Sequence, residues 1–207
     1  MQKLFYMQKI KRSWLTDVSM SYSEYRELLD DLLLANKTTG DDQSEERISY
    51  ATLNQKRMQR LDKATMPTGL SSFKIKHHVG VMVITEGWCG DSAQIVPWFE
   101  QYLELYQPEV KSYFILRDDN PEVMDSFLTN GTRGIPKFVF FNEESLDVLA
   151  LWGPRPQKIQ DWFLNMKQEQ PGLSKEEYGL QLHQFYTKDK GHEIIADLQR
   201  IFLTLSV

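Results

Sequence analysis

The sequence predicts an α/β chain: a β-α-β-α-β-β-α core with a four-stranded mixed sheet, carrying helical extensions before and after it. Three observations lead there. Val79–Thr85 (Val-Gly-Val-Met-Val-Ile-Thr) is β-branched and apolar throughout, as a strand buried on both faces requires. A helical apolar period follows it directly and leads to a second strand-like run, Ser112-Tyr113-Phe114-Ile115-Leu116, so the two strands should lie parallel through a right-handed crossover. Two later runs, residues 137–141 and 146–152, flank the tight connection Asn142-Glu143-Glu144-Ser145 and read as a hairpin.

Taken in order, residues 1–20 hold Phe5, Tyr6 and Trp14 without a clear period, and read either as a docked arm or as a frayed tail. Met7 and Met20 leave the start of the chain open to more than one reading. Ser21 with Glu24 three residues on is a capping box; Tyr25, Leu28, Leu29, Leu32 and Leu33 then keep helical spacing until about Asn36. A second, polar helix is predicted over 44–63, with Ile48, Ala51, Met58 and Leu61 as its contacts. Residues 66–78 form a connector in which 73–76 has the pattern of a short edge strand.

After the first strand, a helix over 91–106 carries Ile95, Trp98, Phe99, Tyr102 and Leu105, spaced as core. Asn120-Pro121 starts a short helix that Asn130-Gly131 ends. Past the hairpin, Gly153-Pro154-Arg155-Pro156 breaks the chain before a helix over 157–167. Ser174 with Glu177 is a second capping box, and Gly191 precedes a final stripe of Ile194, Leu198, Ile201, Phe202 and Leu205. That stripe either docks on the core or makes a homodimer contact. The divisions are an N-terminal arm (1–20), an N-terminal helical extension (21–78), the α/β core (79–170) and a C-terminal helical extension (171–207), packed as one unit.

Composition excludes several classes of function. A formal net charge of −5 speaks against nucleic acid as a main partner, since phosphate binding needs concentrated Lys and Arg. The single cysteine excludes an intramolecular disulfide and a cysteine-based zinc site. His77-His78 would point to opposite faces of a strand and makes a poor metal clamp. No segment has the length of a signal-peptide core or a spanning helix, so no membrane role and a cytoplasmic setting are expected. No metal and no cofactor are expected.

The chemistry centres on Glu86-Gly87-Trp88-Cys89-Gly90-Asp91-Ser92, where a strand hands over to a helix. Strand, then Trp88-Cys89-Gly90, then helix, with Ile135-Pro136 opening a later strand, resembles the thioredoxin superfamily over about residues 79–167. The whole chain resembles bacterial thioredoxin family proteins that carry a single-cysteine Trp-Cys-Gly-Asp-Ser motif and helical ends. The resemblance implies a thioredoxin-like fold and a cis Ile135-Pro136 bond facing Cys89. It also implies an extended substrate paired with the Ile135 backbone. Trp88, Gly90, Asp91, Ile135 and Pro136 would then form the substrate-binding groove.

Two departures limit the chemistry. The position of a second, resolving cysteine is Ser92, which can donate a hydrogen bond but cannot expel a mixed disulfide. The position of a buried proton-transfer acid is Val83, and the nearest acid, Glu86, falls on the connecting turn. The expected activity is therefore monothiol exchange (a Cys-x-x-Ser site). Cys89 would be the nucleophile and Ser92 its helper, acting on protein or small-thiol disulfides with an external thiol such as glutathione as co-substrate. The alternative is a redox-inactive binding module using the same groove. With an exposed sulfur, the helix terminus and the Asp91 charge nearly cancel, which predicts a Cys89 pKa of about 7–8.5. Arg133 is a weaker candidate for holding a ligand carboxylate.

Overall fold

The computed structural model describes residues 8–207. Phe5, Tyr6 and Met7 lie outside them. The apolar run Val79–Thr85 forms β1, the central strand of a sheet ordered β2-β1-β3-β4, with β2 at Lys111–Leu116, β3 at Lys137–Asn142 and β4 at Val148–Trp152. β1 pairs parallel to β2 and antiparallel to β3, and β3 pairs antiparallel to β4.

Successive strand residues face opposite sides of the sheet. Val81 and Val83 join Phe138 and Phe140 in one core, while Met82 and Ile84 join Val139 and Phe141 in the other. Six helices supply the first core: α2 (Tyr22–Leu34), α3 (Glu45–Leu61), α4 (Gly90–Tyr106), α6 (Gln157–Glu169), α7 (Lys175–Asp189) and α8 (His192–Ser206). The smaller core lies under α1 (Arg12–Thr16) and α5 (Pro121–Asp125). Cys89 belongs to this smaller core.

The extensions are packed into the fold. Both capping boxes form with their reciprocal hydrogen bonds, at Ser21/Glu24 and Ser174/Glu177. The stripe of α8 docks: Ile194, Ile195, Leu198 and Phe202 are buried, and Phe202 packs on Tyr102 and Phe140. From residue 8 onward the arm is docked too. It runs along the β4 edge through the Lys9–Asp147 bridge, buries Trp14, and reaches the β2 edge through the Met20–Phe114 bridge.

Two local expectations are corrected. Residues 73–76 form no strand; both sheet edges already carry arm residues, and Phe73 and Ile75 pack against the core by their side chains alone. β4 begins at Val148 rather than 146, because Leu146 turns into the left-handed region (φ 62°) and the ladder shifts register at Phe140/Phe141.

Candidate active site

Strand β1 ends at Thr85 and the turn 86–88 delivers Cys89 to the N-cap of α4. The Cys89 N–H donates to the Glu86 carbonyl (3.1 Å) and the Ala93 N–H to the Cys89 carbonyl (3.1 Å). A helix leaves its first N–H groups without partners, and here the sulfur takes one of them: Ser92 N–H donates to Cys89 Sγ at 3.5 Å. The thiol in turn donates to the Ile135 carbonyl at 3.4 Å. Ile135-Pro136 is cis, and the sulfur meets this loop across 46 residues of sequence. Gly153-Pro154, a second cis bond, carried no signal that distinguished it in the sequence.

The exposed, modestly acidic thiol expected from the sequence is not what this geometry contains. Cys89 is 7% exposed and Ile135 6%, and Pro136 is buried beside them. The thiol is pushed up to about 11, first by burial and second by the Asp91 charge, with Ser92 acting in the opposite direction. A value of about 7–8.5 assumes near-bulk dielectric, and burial is the effect it leaves out.

The extensions cover the residues on either side of this turn. Gly87 is held by Thr39 Oγ1, which accepts from its N–H (2.9 Å), and by Asn54 Nδ2, which donates to its carbonyl (3.0 Å). A Cβ at Gly87 would lie 2.5 Å from Leu29 Cδ2, so this turn needs glycine for close approach. Tyr50 from α3 and His183 from α7 meet over Gly90, their OH and Nε2 atoms 2.8 Å apart. Gln94 Nε2 lies 3.2 Å from His183 Nδ1. The amide can only donate, so Nδ1 accepts and Nε2 carries the proton toward Tyr50. Burial and the nearby Arg57 and Arg155 hold His183 down to about 4, which keeps it neutral at pH 7.

Trp88 is half-buried, with the guanidinium carbons of Arg47 and Arg117 4.3 and 4.6 Å from its ring centroid. Asp91 is engaged on both oxygens. Arg155 binds it through Nε (3.0 Å) and a terminal nitrogen (2.6 Å), and Tyr186 OH donates to it at 2.7 Å. Arg133 pairs with Asp125 through two bonds of 2.7 Å. Sequence reading missed Thr39, Tyr50, Asn54, Arg155, His183 and Tyr186. Of these, Thr39 follows the end of the first predicted helix and Arg155 stands in the chain-breaking Gly153-Pro154-Arg155-Pro156.

Glu86 is fully buried, with one oxygen accepting from Asp118 N–H (2.8 Å) and the other unpartnered among the described residues. Burial raises its carboxyl to about 7. The folded protein therefore keeps a proton that the unfolded chain releases, so stability falls as pH rises from about 4.5 to about 7 and then levels. Glu100, also raised to about 7 by burial, acts in the same window. Glu86→Gln should make that fall shallower by up to about 3 kcal/mol, measured by chemical denaturation at pH 5 and pH 8. A fall as steep as the parent protein's would contradict this.

Among the described residues no group of three or more His, Cys, Asp or Glu is placed to hold a metal ion. No helix there is long and apolar enough to cross a membrane.

Comparison with known proteins agrees with the geometry. No curated protein matches the chain. An HIV epitope-scaffold crystal structure is similar with a TM-score of 0.54 at 17% identity, covering 89% of this chain and 99% of the scaffold. A protein of unknown function from Pseudomonas aeruginosa is similar with a TM-score of 0.53 at 16% identity, covering 89% of this chain and 98% of its own. At such identities the likeness concerns the fold. A family model described as thioredoxin matches residues 40–170, a span that includes α3, the Cys89 turn, the cis-Pro136 loop and α6. That match covers more than half of the chain and contains the Cys89 turn and the loop that meets it: the protein belongs to the thioredoxin family.

Proposed function

We propose that the protein carries out monothiol thiol–disulfide exchange at Cys89. The observation behind this reading is the meeting of three features on one sulfur: the α4 N-cap position, the Ser92 N–H, and the Ile135 carbonyl at the cis-Pro136 loop. The Cys89 thiolate attacks one sulfur of a disulfide R–S–S–R. The new S–S bond forms as the old one breaks, and R–S⁻ leaves and takes up a proton. The helix terminus and Ser92 N–H stabilise the anion as it forms. A second, external thiol then attacks the mixed disulfide and regenerates Cys89. Ile135 and Pro136 would position an extended substrate, with Trp88 and Gly90 beside it. Asp91 supports the site through Arg155.

Ser92 tests this scheme. Ser92→Cys places a thiol where the resolving cysteine stands in two-cysteine members, so a mixed disulfide preformed on Cys89 should be lost from the variant without any added thiol. The wild type should keep its adduct until thiol is supplied. Intact mass over time reads both. Retention of the adduct in Ser92→Cys, or spontaneous loss from the wild type, would overturn the scheme.

A second reading, a redox-inactive binding module, draws support from the burial of Cys89 and Ile135 at 7% and 6% exposure. It predicts that Cys89→Ser leaves binding of an extended peptide unchanged while no mixed disulfide forms in the wild type at any pH.

A further inference from the structure

Residues of α3, α6 and α7 line an open cavity of about 240 Å³ whose wall includes Gly90 and Asp91, the two residues that follow Cys89. It is a little below the ~300 Å³ at which pockets for drug-sized ligands begin, so its occupant is a small molecule or one end of a larger one.

The charges around it are uneven. Asp91 is the one carboxylate in the lining, and Arg155 neutralises it at 2.6 Å. His183, held down to about 4, contributes no charge at pH 7. Lys167 and Lys175 also line the cavity, and among the described residues neither makes an ion pair. The Lys167 ammonium stands 4.9 and 5.4 Å from the Phe163 and Tyr178 ring centroids, which hold it at the cavity. Two lysines beside an aromatic wall, against one carboxylate already bound by Arg155, suit an anion on a short apolar body.

The α7 side of the cavity is open. Gly179 lies inside α7 and lines the cavity, and a Cβ built there meets nothing within 4 Å. Glycine inside a helix costs about 0.5–1 kcal/mol relative to alanine, and no close approach explains it here. A longer side chain at this position would project into open space beside the cavity.

We propose that this cavity is a subsite for the anionic end of a small disulfide that Cys89 attacks. This rests on the exchange reading and adds the substrate class: small disulfides bearing carboxylates. Gly90 and Asp91 in the cavity wall directly follow the nucleophile in the chain, and the Tyr50–His183 pair stands over Gly90. The cavity is formed with α7 of the C-terminal extension, which gives that extension a role in substrate choice.

Three disulfides of similar size and different charge test it: dithiodipropionate (dianionic), hydroxyethyl disulfide (neutral) and cystamine (dicationic). At low ionic strength, mixed-disulfide formation should be about tenfold faster with the dianion than with the neutral probe, and slower again with the dication. That is the factor two exposed cations within ~6 Å give in near-bulk dielectric. Lys167→Gln with Lys175→Gln should erase the order. Gly179→Leu should slow the dianion alone without lowering the melting temperature. Binding is read separately on the Cys89→Ser protein, where dithiodipropionate should shift the Gly90 and Gly179 amide resonances only while both lysines are present. Charge-blind rates, or no lysine-dependent shift, overturn the subsite while leaving exchange standing. Lysine-dependent binding with no adduct from any probe overturns exchange and keeps an anion site.

Discussion

At pH 7 Cys89 should react with a small neutral disulfide about 30-fold more slowly than a cysteine in an unfolded peptide, and the rate should climb about tenfold per pH unit up to about pH 11. A free thiol with a pKa near 8.5 is about 3% thiolate at pH 7; one raised to about 11 is about 0.01%, roughly 300-fold scarcer. The more basic thiolate is intrinsically the better nucleophile, which returns about tenfold. Adduct formation followed by intact mass from pH 7 to pH 11 checks this. A rate that levels off near pH 8 would show a thiol of ordinary acidity and an open site. The extensions meet over Gly90 through Tyr50 and His183, so a substrate that reacts quickly at neutral pH has to disturb that cover.

Asp91→Ala should lower stability by about 3 kcal/mol and, in the same protein, speed Cys89. Removing one partner of a buried ion pair leaves the other charge without compensation, which costs about 3–5 kcal/mol. Arg155 and Asp91 have side-chain exposures of 17% and 10%, and Tyr186 OH would lose its acceptor as well, so the lower end of that range applies. In a chain of this length the loss corresponds to a melting-temperature drop of roughly 6–12 °C. The carboxylate is also the second cause of the raised Cys89 pKa, so its removal leaves a cation near the sulfur and brings the thiol down. Thermal unfolding and an alkylation rate on the same sample test the two effects together. An unchanged melting temperature would mean that the Arg155 pair does not hold the α4 N-terminus.

Much of this was legible in the sequence because it is local. The all-apolar β1, the two capping boxes, and the strand–turn–helix placement of Cys89 each depend on residues within a few positions of one another. The cis Ile135-Pro136 loop opposite Cys89 came through the resemblance. What could not be read depends on long-range packing. Tyr50 and His183 are 133 residues apart, and Asp91 and Arg155 are 64 apart; no periodicity links either pair. The thiol's acidity was misjudged for the same reason: the charges near it were countable in sequence, whereas its burial is a property of the assembled fold. Likewise the edge strand expected at 73–76 failed because the N-terminal arm had taken both edges, which no local pattern announces.

The most direct test of exchange at Cys89 is the mass of the protein after incubation with an excess of hydroxyethyl disulfide at about pH 10, where the thiolate is no longer scarce. Exchange at Cys89 predicts a single added half-disulfide on the wild type, its removal by a second thiol, and no addition to Cys89→Ser. An unmodified wild-type mass under those conditions, with the protein still folded, would contradict it.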